Sequence, residues 1–229
     1  MISLGLKQKN PEFPVFSSHK IPAEYALARR EKFLNFSEKG VLCETENVTL
    51  EEDLSRRDFT INAIAFNKEY YDPFCGRKDL EKNLLKPLNK FFDHDPLRFW
   101  RLSRFACLLQ CSIDSSIEHY SYKGDISLEK KEQEILKILT WKDPSQFFLL
   151  LSRFYEKEFK NIPKKFLHSL QIFQDPGIRI LLIRFFFPES LFFASQKNKT
   201  ILQSLFTKKI HSFQRKDLFL LREYLLMQG

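Results

Sequence analysis

The chain has little cysteine and no segment built to cross a bilayer. Its 229 residues include 4 cysteines, Cys43, Cys75, Cys107 and Cys111. None stands in a CxxC pair and no His is spaced to complete a zinc site, so zinc-ribbon and disulfide-scaffold architectures are excluded. Cys107 and Cys111 are spaced one helical turn apart. That spacing suits two buried helix residues first, and half of a metal site second. No apolar run reaches the ~18 residues of a membrane span, and the N-terminus has no secretory signal pattern. No stretch is amphipathic enough to lie on a membrane. There is no internal repeat, low-complexity tract or Pro/Gly/Ser linker. The expectation is a cytoplasmic protein with reduced thiols and no membrane partner.

Hydrophobic residues make up 43% and charged residues 29%, enough for a soluble protein with a real core. Phe is over-used, with 25 copies, and most of these rings, Phe185, Phe186 and Phe187 included, are expected to be buried. The net charge is +8. Such a surplus suits a polyanion, because each Lys or Arg that meets a phosphate releases counterions.

The pattern changes near Phe92. Before it, short apolar runs lie between turn residues. Residues 13–20 (FPVFSSHK) and 24–30 (EYALARR) read as a hairpin with Pro22 at its turn. Residues 59–66 (FTINAIAF) alternate and end at Asn67, so they read as a strand. Thr49 before Glu51 and Glu52 predicts a helix start. After Phe92 the pattern is helical. Asp95-Pro96, Asp143-Pro144, Ile162-Pro163 and Asp175-Pro176 each predict a helix N-terminus. Ser127 with Lys130 makes a poor capping box for another. The fold class is therefore α+β: a small piece with few strands and a helix, then an all-α remainder.

Four motifs carry chemistry. Arg56-Arg57-Asp58 sets two planar donor forks and an acceptor before the FTINAIAF run, a set suited to phosphate and a ribose hydroxyl, or to a plain ion pair at a helix end. Asp72-Pro73-Phe74-Cys75-Gly76-Arg77-Lys78-Asp79-Leu80 reads as a turn or linker, in which Gly76 permits a sharp bend and the acids cap and pair locally. His94-Asp95-Pro96-Leu97-Arg98 places Asp95 and Arg98 at i,i+3 on a helix start. The two can read the hydrogen-bonding edge of a base, or simply cap and pair. Arg101 and Arg104 extend a basic stripe one and two turns on. Ser127-Leu128-Glu129-Lys130 with Glu134 is the fourth.

In this order the motifs resemble the class II tRNA nucleotidyltransferases, the CCA-adding enzymes, and their poly(A) polymerase relatives. The likeness runs from about residue 13 to 154, and residues 14–32 resemble the bacterial CCA-adding enzymes in particular. It implies a nucleotidyltransferase head over residues 1–92, a helical neck over 93–155 that binds nucleotide and RNA, and a helical body over 156–229 of unknown role. It also implies CTP and ATP as substrates, Mg²⁺ as cofactor, and the 3′ end of tRNA or another RNA as partner. Arg57, Asp58 and Asn62, with Arg56 adjacent, match the motif at the nucleotide sugar and phosphates. Asp95 and Arg98 match the base-reading pair, with His94 where the family has Glu. Lys130 replaces an Arg in the motif that holds the neck helices together. Glu24 resembles an auxiliary catalytic acid.

The family also carries a G-G-x-x-R-D segment and a D-x-D pair of metal ligands, which have no counterpart in this sequence. The head is accordingly expected to be truncated and no metal ligands are identified. A misplaced start, a decayed gene or a complementing head segment from another chain would each account for the truncation, and a non-catalytic RNA- or nucleotide-binding role and poly(A) addition stand as alternatives to tRNA 3′-end synthesis.

Overall fold

The computed structural model describes residues 6–10, 13–18, 23–33, 41–88, 91–154, 159 and 161–187. The chain forms two compact units, one of Met1–Arg98 with Cys111–Asp125 and one of Phe99–Gln110 with Ile126–Gly229.

The first unit is mixed. Strands β1 (Lys7–Asn10), β2 (Phe13–Ser17) and β3 (Glu24–Ala26) form an antiparallel sheet in that order. Val15 pairs with Ala26 and Ser17 with Glu24, the expected hairpin; its turn at Pro22 lies outside the described residues. Strands β4 (Arg30–Phe33) and β5 (Val41–Glu44) pair in antiparallel register. Helix α1 (Leu50–Ser55) begins where expected. The Thr49 hydroxyl accepts from the Glu52 N–H, and the Glu52 carboxylate accepts from the Thr49 N–H, a reciprocal cap worth ~1 kcal/mol.

Residues 59–66 correct the sequence reading. Only their end is a strand, β6 (Ala65–Asn67), which pairs with β7 (Glu69–Tyr71) around Lys68 at φ 63°. Thr60–Asn62 is instead a 3₁₀ turn. The buried residues there are Phe59, Thr60 and Ala63, which is no alternation. Tertiary bonds decide the conformation: the Thr60 N–H donates to the Lys86 carbonyl, and its hydroxyl to Asp79 Oδ2 at 2.7 Å.

Helix α2 (Gly76–Glu81) follows, started by the Asp72 carboxylate, which accepts from the Gly76 and Arg77 N–H groups. Gly76 is required for a reason other than a turn. The left-handed residue is Cys75, at φ 58°, whereas a Cβ on Gly76 would lie 2.1 Å from the Thr60 carbonyl oxygen. The glycine permits contact between α2 and the 3₁₀ turn. Strand β8 (Leu84–Leu85) pairs in parallel with β9 (Ser112–Ile113). The core gathers Leu54, Phe59, Ala63, Leu85, Phe92 and Ile117, with Phe92 5.7 Å from Phe59 and 5.3 Å from Tyr120.

Helix α3 (Leu97–Leu109) starts in the first unit, at Asp95 and Pro96, and continues as part of the second. The Asp95 carboxylate accepts from the Leu97 N–H, so the expected cap is present. The helix ends at Gln110, at φ 52°, so only Cys107 is a buried helix residue; Cys111 lies beyond the helix and is half-buried.

The second unit is all helical among its described residues. It contains the rest of α3, then α4 (Leu128–Leu139), α5 (Ser145–Phe154), α6 (Lys164–Ile172) and α7 (Pro176–Phe186). Asp143 caps α5 through the Ser145 N–H, and Asp175 caps α7 through the N–H groups of Gly177 and Ile178. Ser127 makes no side-chain cap on α4, as its weak pattern suggested. Trp100, Phe147, Phe148, Phe159 and Phe166 are fully buried and meet largely edge to face. Each such side chain contributes ~1.5–3 kcal/mol by leaving water. Phe186 and Phe187 are only half-buried, both against Phe166; the Phe185 side chain lies outside the description. Arg179 is also fully buried. Its guanidinium donates to the carbonyls of Leu139, Trp141, Lys142, Leu170 and Phe173, closing the ends of α4 and α6.

Candidate nucleotide site

The last turn of α1 carries Asp53, Arg56 and Arg57 on one side, because residues three and four apart are neighbours on a helix. Arg56 is engaged with the protein. Its Nε donates to the Arg29 carbonyl and to Asp53 Oδ1, its Nη1 to Glu31 Oε1 at 3.0 Å, and its Nη2 to Asp53 Oδ1 at 2.7 Å. With only 15% of its side chain exposed, Arg56 is held by the protein on several sides. Arg57 differs. Its side chain is 42% exposed, and Nη2 lies 3.2 Å from Asp53 Oδ2.

Asp58 is buried, and its Oδ1 accepts from the Phe59 N–H at 3.0 Å and from Asn62 Nδ2 at 2.9 Å. The second motif thus folds on itself. The 3₁₀ turn swings Asn62 back to Asp58, and Arg57 Nη1 reaches the Asn62 carbonyl at 3.5 Å. Arg57, Asp58 and Asn62 stand together, as the sequence predicted.

The third motif joins them. Arg98 is buried, and its Nη2 donates to the Arg56 carbonyl at 2.8 Å while Nη1 donates to the Phe91 carbonyl at 3.3 Å. Asp95 Oδ2 lies 4.0 Å from Arg98 Nε, the i,i+3 pair read from the spacing. The His94 ring packs edge-on against Phe91 at 5.1 Å.

Glu24 is exposed on β3, an outer strand of the three-stranded sheet among the described residues. Arg101 and Arg104 belong to the second unit. Arg101 lies over the Phe105 ring at 5.5 Å. Arg104 is not part of an exposed basic stripe. It is buried, its Nε donates to Glu134 Oε2 at 2.5 Å, and Lys137 meets the other oxygen of Glu134. Arg104 therefore pins α3 to α4, giving the Glu134 of the fourth motif its partner.

Sequence reasoning missed Asp53 and Glu31. The D-x-x-R-R spacing from Asp53 to Arg57 could have revealed the first; nothing local could have revealed the second, which reaches Arg56 from β4. Burial raises the Asp53 carboxyl, but the Arg56 guanidinium, the Arg29 N–H and Arg57 outweigh it and hold the group below its ordinary value. Among the described residues no three His, Cys, Asp or Glu side chains stand together as a metal site. No described helix is long and apolar enough to cross a membrane.

Small sheets in the first part of the chain, followed in sequence by helices, fit the fold of the nucleotidyltransferases. Residues 3–86 match the Poly A polymerase head domain, and the chain is similar to the tRNA nucleotidyltransferases and their poly(A) polymerase relatives. The CCA-adding enzyme of Blochmanniella floridana is 38% identical over 164 residues, covering 67% of this chain and 40% of that protein. The multifunctional CCA protein of Pseudoalteromonas atlantica is 46% identical over 109 residues, 46% of this chain and 27% of that one. The chain thus spans about two-fifths or less of the curated relatives it matches. Among solved structures, the Bacillus stearothermophilus CCA-adding enzyme in complex with CTP aligns with TM-score 0.55 and 23% identity, over 76% of this chain and 45% of that one. A tRNA nucleotidyltransferase complexed with a primer tRNA and an incoming ATP analogue aligns with TM-score 0.55 and 22% identity, over 80% and 61%. At these identities the structural likeness shows the fold.

Proposed function

We propose that this chain is the nucleotide-binding part of a tRNA 3′-end nucleotidyltransferase, adding C or A from CTP and ATP. The bond from Arg98 to the Arg56 carbonyl carries the reading, because it brings the base-reading motif and the sugar-phosphate motif to one place. Arg57, the more exposed of the two adjacent arginines, meets the triphosphate; Asp58, held by Asn62, faces the ribose; Asp95 and Arg98 address the base edge. The basic chain draws in the RNA 3′ end. The relatives named as CCA-adding enzymes support tRNA as the RNA, and the cytoplasm as the place of action. Mg²⁺ accompanies the triphosphate in this reaction class, and none of the described acids is assigned to it.

The test is binding and incorporation of labelled CTP and ATP with a tRNA lacking its CCA end, in the presence of Mg²⁺. The expected result is binding of both nucleotides that Arg57→Ala weakens about tenfold. Absence of nucleotide binding overturns the reading. Incorporation assigns the whole reaction to this chain, and binding without incorporation assigns it the selecting step alone.

A further inference from the structure

Arg56 and Arg57 are adjacent in sequence, yet one acid divides them between different tasks. Asp53 Oδ1 accepts from the Arg29 N–H and from Nε and Nη2 of Arg56. Those bonds fix the carboxylate plane and aim Oδ2 at Arg57 Nη2, 3.2 Å away. The Asp53 side chain is only 9% exposed, so little water competes for this contact. A free arginine side chain loses rotamer entropy when it is fixed. Asp53 restrains Arg57 before any ligand arrives, at the edge of the Asp58–Asn62 pair.

We propose that Asp53 is a positioning residue of the nucleotide site, presenting Arg57 to the phosphates of an incoming nucleoside triphosphate. The proposal rests on the nucleotide-binding reading above. Asp53 touches protein groups only and acts through Arg57. Glu31 supplies the control. It bonds Arg29 and Arg56 much as Asp53 does, but its recorded bonds do not include Arg57. A purely structural acid would behave like Glu31; a positioning acid would not.

The experiment uses the intact chain and a fluorescent ATP analogue, displaced by CTP, CMP and cytidine. The proteins are wild type, Asp53→Asn, Asp53→Glu, Arg57→Ala, Asp53→Asn with Arg57→Ala, and Glu31→Gln. Asp53→Asn is expected to weaken CTP about tenfold and cytidine less than about twofold. Arg57→Ala is expected to cost little more in the Asp53→Asn background, since coupled residues are not additive. Glu31→Gln is expected to lower thermal stability while keeping the wild-type ratio of CTP to cytidine affinity.

Additive losses in the double variant overturn the proposal, as does an equal weakening of CTP and cytidine by Asp53→Asn. Should Asp53→Asn fail to fold, Asp53→Glu decides. It keeps the charge but displaces the oxygen, so the CTP-to-cytidine ratio must fall; an unchanged ratio overturns the proposal. Wild-type protein that binds no nucleotide refutes the functional reading and the positioning role with it. Normal binding that Arg57→Ala weakens, without coupling to Asp53, refutes the positioning role alone.

Discussion

Arg98 donates through Nη2 to the main-chain carbonyl of Arg56 at 2.8 Å, across 42 residues of sequence. A buried guanidinium bonded to two carbonyls contributes stability. Arg98→Met is expected to leave the carbonyls of Arg56 and Phe91 short of a donor and to cost about 2 kcal/mol in urea unfolding. Arg98→Lys should recover little of this, since an ammonium cannot span both carbonyls as a fork does. Wild-type stability in Arg98→Met would show that the bond is dispensable.

Gly76 offers a steric test. Adding one methyl there sets a carbon 2.1 Å from the Thr60 carbonyl oxygen, against main chain that cannot swing away. Gly76→Ala is expected to destabilise by about 2–3 kcal/mol through overpacking. Cys75→Gly, at φ 58°, relieves a left-handed side chain and should stay within about 1 kcal/mol of wild type. Thermal melts of the two variants should therefore diverge, although the positions are adjacent.

Arg179 makes the second unit sensitive to a single truncation. Burial lowers its affinity for a proton, with Asp143 and Asp175 opposing. Arg179→Met should strand the carbonyls of Leu139, Trp141, Lys142, Leu170 and Phe173, at a cost of about 3–5 kcal/mol. Hydrogen exchange should then quicken at the ends of α4 and α6. Unchanged protection there would mean that water replaces the guanidinium.

Acid should unfold the first unit partly through Asp53. The group sits below its ordinary value of 3.8 in the folded chain, so its contribution is fully present above that pH and is lost as the pH falls through the lower folded-state value. Stability measured from pH 6 to pH 2 is expected to fall less steeply at the acid end in Asp53→Asn than in wild type. Parallel curves would remove Asp53 from the acid response.

Legibility followed the range of the forces. Thr49, Asp143 and Asp175 could be read because a cap acts within a few residues, and so could the Asp95–Arg98 pair. The 3₁₀ turn at Thr60 could not, because partners at Lys86 and Asp79 override an alternating pattern. The partners of Arg56 and Arg104 could not be read either, because a sequence shows an arginine's charge but not Glu31 or Glu134 waiting elsewhere in the fold. The motifs bring Arg57, Asp58 and Asn62 together and tie Arg98 to Arg56 and Asp95 in the fold.

Arg98 and Arg179 share a property that bears on how the chain tolerates drift. Their described bonds run to peptide carbonyls, at Arg56 and Phe91 for one and along α4, α6 and the segments after them for the other. A peptide carbonyl survives any exchange of the side chain it belongs to. The residues that lend those carbonyls can therefore vary without breaking these bonds, whereas the arginines cannot. The mutational sensitivity of each cluster falls on one codon rather than on a matched pair, and no compensating substitution at a partner can restore what that codon loses.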